Sequence, residues 1–142
     1  MKKIIVSACL LGTPCRYDGK SKPSEAVIAL GEKYELVPVC PECLGGLPTP
    51  RLPCEIKDGG VLRIDGVDCT REYTEGAQKS LEIARKNGAD TAILKAKSPS
   101  CGKYQIYDGT YSGTLINGQG VTAKLFIENN ITVLDEEELN KL

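Results

Sequence analysis

Apolar residues along this chain fall into two rhythms, short unbroken runs and helical spacings, and the two alternate. Ile4, Ile5 and Val6 show no helical period and precede a Gly12-Thr13-Pro14 turn, so Lys3 to Ala8 is expected to be a buried strand. From Pro23 onward, Ala26, Val27, Leu30 and Tyr34 recur at helical spacings, with Gly31 a break near the end. Glu35 to Val39 reads as a second strand, stopped at Cys40-Pro41 because proline offers no amide to a ladder. The clearest helix is Thr70 to Asn87. Tyr73, Ala77, Leu81 and Ala84 share one face, Arg85 and Lys86 favour its carboxyl end, and Gly88 stops it. Asp90 to Ala96 is expected as a third strand, Val121 to Asn130 as a helix, Ile131 to Leu134 as a fourth strand and Asp135 to Leu142 as an acidic helical turn.

Two segments carry no such rhythm. Pro41 to Asp68 holds four of the eight prolines and five of the fifteen glycines. Loops of this length are unusual in compact domains and mark functional covers, and a hairpin of Glu55 to Lys57 with Val61 to Ile64 is expected around Asp58-Gly59-Gly60. Tyr104 to Gly120 is glycine-rich, with turn signals at Asp108-Gly109 and Asn117-Gly118. Strands separated by helices predict an α/β, Rossmann-like three-layer domain spanning 1–142, with a mainly parallel sheet of about four strands and a hairpin-bearing loop. A strand order of 2-1-3-4 places the ligand-binding rim beside strand 1, outside the carboxyl ends.

Composition narrows the chemistry. The chain has 142 residues, enough for one hydrophobic core, and a formal charge of −1. It lacks the basic excess that extended nucleic-acid binding requires, so a small substrate is expected. With no histidine, imidazole catalysis and imidazole metal ligation are excluded. Seven cysteines cannot all close into internal disulfides, and they point to a thiol-using intracellular protein. Only three strongly apolar residues precede Ser7, against the roughly 7–15 of a secretion signal, and no stretch approaches the ~20 of a membrane span. The expectation is a cytoplasmic protein with no membrane partner.

Cys9, Cys40 and Cys101 each stand at or just past the carboxyl end of an expected strand. On adjacent strands about 4.8 Å apart, they would span about 10 Å between the outer backbones, which suits a cluster better than a single zinc ion. A 4Fe–4S cube held by only three thiolates leaves one iron open to a soft sulfur ligand. The ordinary role of a free cysteine is a small core residue, and that is the reading for Cys69, with Cys15 left open. Cys40 and Cys43 form a C-x-x-C pair that could act as a redox dithiol, but Gly45-Gly46-Leu47-Pro48 argues against a helix opening there.

Three blocks carry a specific resemblance. They are Ser7-Ala8-Cys9-Leu10-Leu11-Gly12 with Cys15-Arg16-Tyr17-Asp18-Gly19, Pro38-Val39-Cys40-Pro41-Glu42 with Gly45-Gly46-Leu47, Pro50-Arg51, Pro53 and Glu55, and Lys97-Ser98-Pro99-Ser100-Cys101-Gly102. Together they closely resemble the thiouracil desulfidase family, long catalogued as a domain of unknown function, in its short stand-alone form. The resemblance implies a 4Fe–4S cluster ligated by Cys9, Cys40 and Cys101 with one open iron, and a supply of that cluster by iron–sulfur assembly machinery. It implies non-redox desulfuration of a thiolated base or nucleoside, in which water replaces the sulfur of the C=S group. Glu42 and Ser98 match the family's catalytic glutamate and serine. Cys43 and Cys54 depart from the small or apolar residues expected at their positions.

Soft sulfur and thiophilic iron suit one another, and Glu42, two residues past a ligand, is placed to activate water. Ser98 and Ser100 could orient that water or simply make turn hydrogen bonds. Arg16, Arg51 and Lys97 lie in the same loops and could bind a pyrimidine oxygen or a phosphate, although such charges are usually solvated. Asp18-Gly19 reads as a turn. The competing function is an iron–sulfur or zinc-binding module for redox sensing or sulfur delivery, without turnover. A tRNA-thiolating role is weakened by the absence of an ATP-binding Ser-Gly-Gly signature.

Overall fold

The computed structural model describes Met1–Leu142. Its centre is a parallel sheet of β1 (Lys3–Ser7), β2 (Glu35–Val39), β5 (Thr91–Ile93) and β8 (Thr132–Leu134), in the order β2-β1-β5-β8. This is the expected 2-1-3-4 order. Ser7 pairs with Val39 and Val6 with Ile93, so the carboxyl ends of β1, β2 and β5 lie side by side. The side chains alternate between faces, as the strand period requires. Ile5, Ala92 and Val133 face a core shared with α3 (Thr70–Lys86) and α4 (Val121–Glu128). Ile4, Val6 and Ile93 face a second core with Val27 of α1 (Glu25–Ala29). Helices therefore cover both faces, and no helix is long and apolar enough to cross a membrane.

Several elements are shorter than their sequence pattern. Strand β5 stops at Ile93 because the next amides leave the sheet: the Lys95 amide donates to Ser7 Oγ at 2.9 Å and the Ala96 amide to Glu136 Oε1 at 2.8 Å. Strand β1 ends at Ser7, and Ala8–Leu11 forms a 3₁₀ turn closed by Gly12 at φ 99°. Helix α1 begins at Glu25 rather than Pro23, since the Ser24 hydroxyl accepts the Val27 amide and caps it. The carboxyl terminus makes only a 3₁₀ turn, Leu139–Lys141.

The expected hairpin is β3 (Cys54–Lys57) with β4 (Gly60–Arg63), in antiparallel register. The second glycine-rich segment also forms a hairpin, β6 (Gln105–Tyr107) with β7 (Leu115–Asn117), which turn signals alone did not reveal. Glu55 clasps the two together by accepting the amides of Gly109 at 2.9 Å and Tyr111 at 3.1 Å. Tyr111 closes the clasp by donating its hydroxyl to the Leu62 carbonyl.

The C-x-x-C segment corrects the sequence reading. It opens a one-turn helix, α2 (Pro41–Leu44), with Cys40 at the N-cap and Pro41 in the first turn. Two glycines make this possible by allowing α2 to lie directly on α3. A Cβ at Gly45 would run into the Glu72 carbonyl, and one at Gly76 into the Pro41 carbonyl. Alanine ordinarily favours a helix over glycine by about 1 kcal/mol. At Gly76 that preference is outweighed by overpacking, which costs roughly 1–3 kcal/mol or more when backbone has to move. Gly76→Ala is expected to lower the melting temperature by at least about 3 °C, as followed by circular dichroism. An unchanged or raised midpoint would show that the two helices are not in this contact.

Candidate functional site

A cavity of about 740 Å³ opens beyond the carboxyl ends of β1, β2 and β5, and Cys9, Cys40 and Cys101 all line it. Each arrives on a different connection. Cys9 sits in the 3₁₀ turn after β1, Cys40 caps α2 after β2, and Cys101 lies in the loop that follows β5. That loop is locked by Ser98, whose hydroxyl oxygen accepts the amides of Ser100 and Cys101, both at 3.0 Å. Lys97, just before it, takes φ 69°, a strained conformation for a lysine. Cys9 and Cys101 are buried and Cys40 is half-buried.

The three thiols sense one another. The Cys9 thiol is pushed up to about 12, first by burial and then by Cys101 and Cys40, while Lys95 and Arg16 pull the other way. Cys101 is also pushed up to about 12, by burial and by the charges of Glu42 and Cys40, against hydrogen bonding from Ser7 and Ser100. Cys40 is raised by its hydrogen bond with Cys15 and by burial. Three thiolates cannot gather here unless a cation neutralises them. The donor set fits a thiophilic metal group, because every ligand is sulfur and no imidazole competes. The raised Cys40 thiol is the opposite of the depressed thiol that a redox C-x-x-C uses as its nucleophile.

The remaining cysteines divide into two groups. The Cys15 carbonyl accepts weak hydrogen bonds from the Cys40 thiol at 3.8 Å and the Cys43 thiol at 3.9 Å. Cys15 lines the cavity, and its own thiol is lowered from its ordinary value through hydrogen bonding with Cys40. Cys54 and Cys69 are buried together with Val61 and Tyr73 in a small core beneath the first hairpin, where Cys69 has the packing role expected of it.

Glu42 lines the same cavity and is engaged at both oxygens. Arg51 donates to Oε2, and Tyr73 of α3 donates its hydroxyl to Oε1 at 2.8 Å. Arg51, expected among the substrate-binding residues, directs its guanidinium at the protein itself. Its side chain is only 5% exposed, and its donors are taken by Glu42, the Pro48 carbonyl, Thr49 Oγ1 and the Cys15 carbonyl. Ser100 lines the cavity and is 1% exposed, and its hydroxyl shares a hydrogen bond of 2.8 Å with Thr122. Ser98, Arg16 and Lys97 line the cavity as well. Arg16 pairs with Asp18 at 3.8 Å and lies over the Tyr17 ring. Sequence reasoning missed Tyr73, which it placed only in the apolar stripe of the helix. A buried tyrosine still needs a partner for its hydroxyl, and that signal could have marked it. It also missed the Lys95–Glu136 ion pair, 2.9 Å long, in the cavity wall.

Comparison with known proteins agrees with this geometry. The family model for 2-thiouracil desulfurase matches residues 4–138. An uncharacterised protein, YbbK of Bacillus subtilis (strain 168), is 44% identical over 149 aligned positions, covering 98% of this chain and 99% of the relative. The solved structure of the 4Fe–4S-dependent thiouracil desulfidase TudS superposes with a TM-score of 0.95 at 44% identity, covering 100% of this chain and 95% of that one. Thiols gathered at the switch point, a clamped glutamate beside them and a match along nearly the whole length lead to one conclusion: the chain belongs to the 2-thiouracil desulfurase family.

Proposed function

We propose that the chain is a 4Fe–4S-dependent desulfidase that converts the C=S group of a thiolated pyrimidine base, nucleoside or related small thioamide to C=O, with water consumed and hydrosulfide released. The observation that carries this reading is the presence of Glu42 in the same cavity wall as Cys9, Cys40 and Cys101, close enough for its charge to act on Cys101. When bound by those three thiolates, the cluster supplies an open thiophilic iron, a Lewis acid for the thiocarbonyl sulfur. The protein supplies the rest. Arg51 and Tyr73 hold the Glu42 carboxyl group, which accepts a proton from water as the oxygen adds to the carbon bearing sulfur. The same carboxyl group passes that proton to the departing sulfur as the C–S bond breaks, giving hydrosulfide, and the second water proton leaves the added hydroxyl for solvent as C=O forms, with carbon and sulfur keeping their oxidation states. Ser98 uses its oxygen to hold the Cys101 loop and retains its O–H to orient the water. Arg16 and Lys97 stand at the cavity as cations for a carbonyl oxygen of the ring. The assignment calls for a cytoplasmic setting with iron–sulfur assembly machinery as the partner that fills the site.

Replacing Glu42 by Gln removes the proton acceptor and retains the shape. Sulfide release from 2-thiouracil or 4-thiouracil by the anaerobically reconstituted protein is expected to fall about 10²–10⁴-fold with iron content unchanged. A variant within a few-fold of wild type would exclude Glu42 as the base. A loaded wild-type protein that releases no sulfide from any thioamide would make the chain a binding module.

The ligand set has its own test in iron and sulfide analysis with absorption spectra. Alanine at Cys9, Cys40 or Cys101 is expected to abolish loading of about four irons per chain, whereas Cys69→Ser, in the separate small core, keeps it. Full loading in any one of the three alanine variants would remove that cysteine from the set.

A further inference from the structure

Glu42 is the single carboxylate that the proposed reaction uses, and one of the two residues that hold it comes from outside the three sequence blocks. Tyr73 lies on α3 and is only 2% exposed, yet it also lines the cavity. Its hydroxyl donates to Glu42 Oε1 at 2.8 Å. On the other oxygen, the Arg51 guanidinium is itself fixed by the Pro48 carbonyl and Thr49 Oγ1, each at 3.0 Å, and by the Cys15 carbonyl at 3.1 Å. Hydrogen bonds to an ionised carboxylate are about twice as strong as neutral ones. A glutamate anchored at one oxygen still rotates about its terminal torsion, which is broad and nearly two-fold. A second donor on the other oxygen, from a different element, removes that freedom.

We propose that Tyr73 is a positioning residue for the desulfuration, fixing the plane of the Glu42 carboxylate so that one oxygen edge faces the water beside the thiol trio. The inference rests on Glu42 being the base of the reaction proposed above. The contact of α2 with α3 builds the arrangement. Gly76 lies one turn after Tyr73 on the same face of α3 and lets the Pro41 carbonyl sit against it, and Glu42 is the next residue of α2. The register of the two helices therefore sets the bond between the phenol and the carboxylate. Burial, and next the charge of Glu42, raises the phenol above its ordinary range, so it remains a donor at any working pH. Cys54 lies against the same hydroxyl and cannot replace it, being a weaker donor.

Tyr73→Phe keeps the ring in its packing and deletes only the hydroxyl. In the reconstituted protein, kcat for sulfide release from thiouracil is expected to fall about 10–100-fold, with KM within about two-fold and iron content equal to wild type. A kcat within two-fold of wild type, a raised KM at unchanged kcat, or loss of iron or of the fold would each overturn the proposal, assigning Tyr73 to no role, to substrate contact or to scaffolding. An infrared measurement reads the interaction without turnover. In protein labelled with ¹³C-glutamate, the carboxylate band missing from Glu42→Gln belongs to Glu42, and it is expected to shift in Tyr73→Phe. A band that stays in place overturns the proposal. If the wild type releases no sulfide, the functional reading fails, and the infrared band still decides whether Tyr73 holds Glu42.

Discussion

Three sulfur donors at one rim, two buried and one half-buried, impose the constraint on which the rest of this structure depends. Cys9 and Cys101 are pushed upward by burial and by neighbouring sulfur, and Cys40 by its hydrogen bond with Cys15 and by burial, so the group cannot ionise together on its own. A cationic, thiophilic occupant converts that repulsion into attraction. The sheet supplies the convergence: β1 lies between β2 and β5 in parallel register, and all three chains leave it toward the same edge. No long-range folding device beyond the α/β topology is needed to bring residues 9, 40 and 101 together.

Holding Glu42 is a separate problem from gathering the thiols, and the structure solves it with helix packing. Glu42 sits in a helix of four residues, too short to be stable alone. Its stability comes from lying on α3 through Gly45 and Gly76, and that contact delivers Tyr73 to one carboxylate oxygen. The covering segment supplies Arg51 to the other. The hairpins above are joined through Glu55, which makes the cover one connected piece over the cavity rather than two independent loops.

Much of this was legible in the chain. The alternation of apolar runs and helical spacings reveals the layers, because burial on both faces makes a parallel strand continuously apolar, whereas the strand order is a supposition that the sheet matches. The placement of Cys9, Cys40 and Cys101 after strands followed from the same reading. What escaped it depends on contacts between distant residues. The hairpin of Gln105–Tyr107 with Leu115–Asn117 has three-residue strands, too short to show an alternation. Helix α2 owes its turn to a glycine that lies 31 positions away from Pro41's neighbour Gly45 in the chain. Loop membership places Arg51 near the site without showing which groups its guanidinium meets, and the contact of Ser100 with Thr122 has no local sequence signal. Tyr73 was hidden by its apolar ring, which fits the helix stripe whether or not the hydroxyl has work to do.

The proposed chemistry stands on three thiolates at this rim holding a cluster with one distinct, open iron. Mössbauer spectroscopy of protein reconstituted anaerobically with ⁵⁷Fe, before and after addition of thiouracil, reads that iron itself. Two iron environments in about a 3:1 ratio are expected, with only the minor one changed by the thio-compound. Four equivalent irons, or a spectrum that thiouracil leaves untouched, would contradict it.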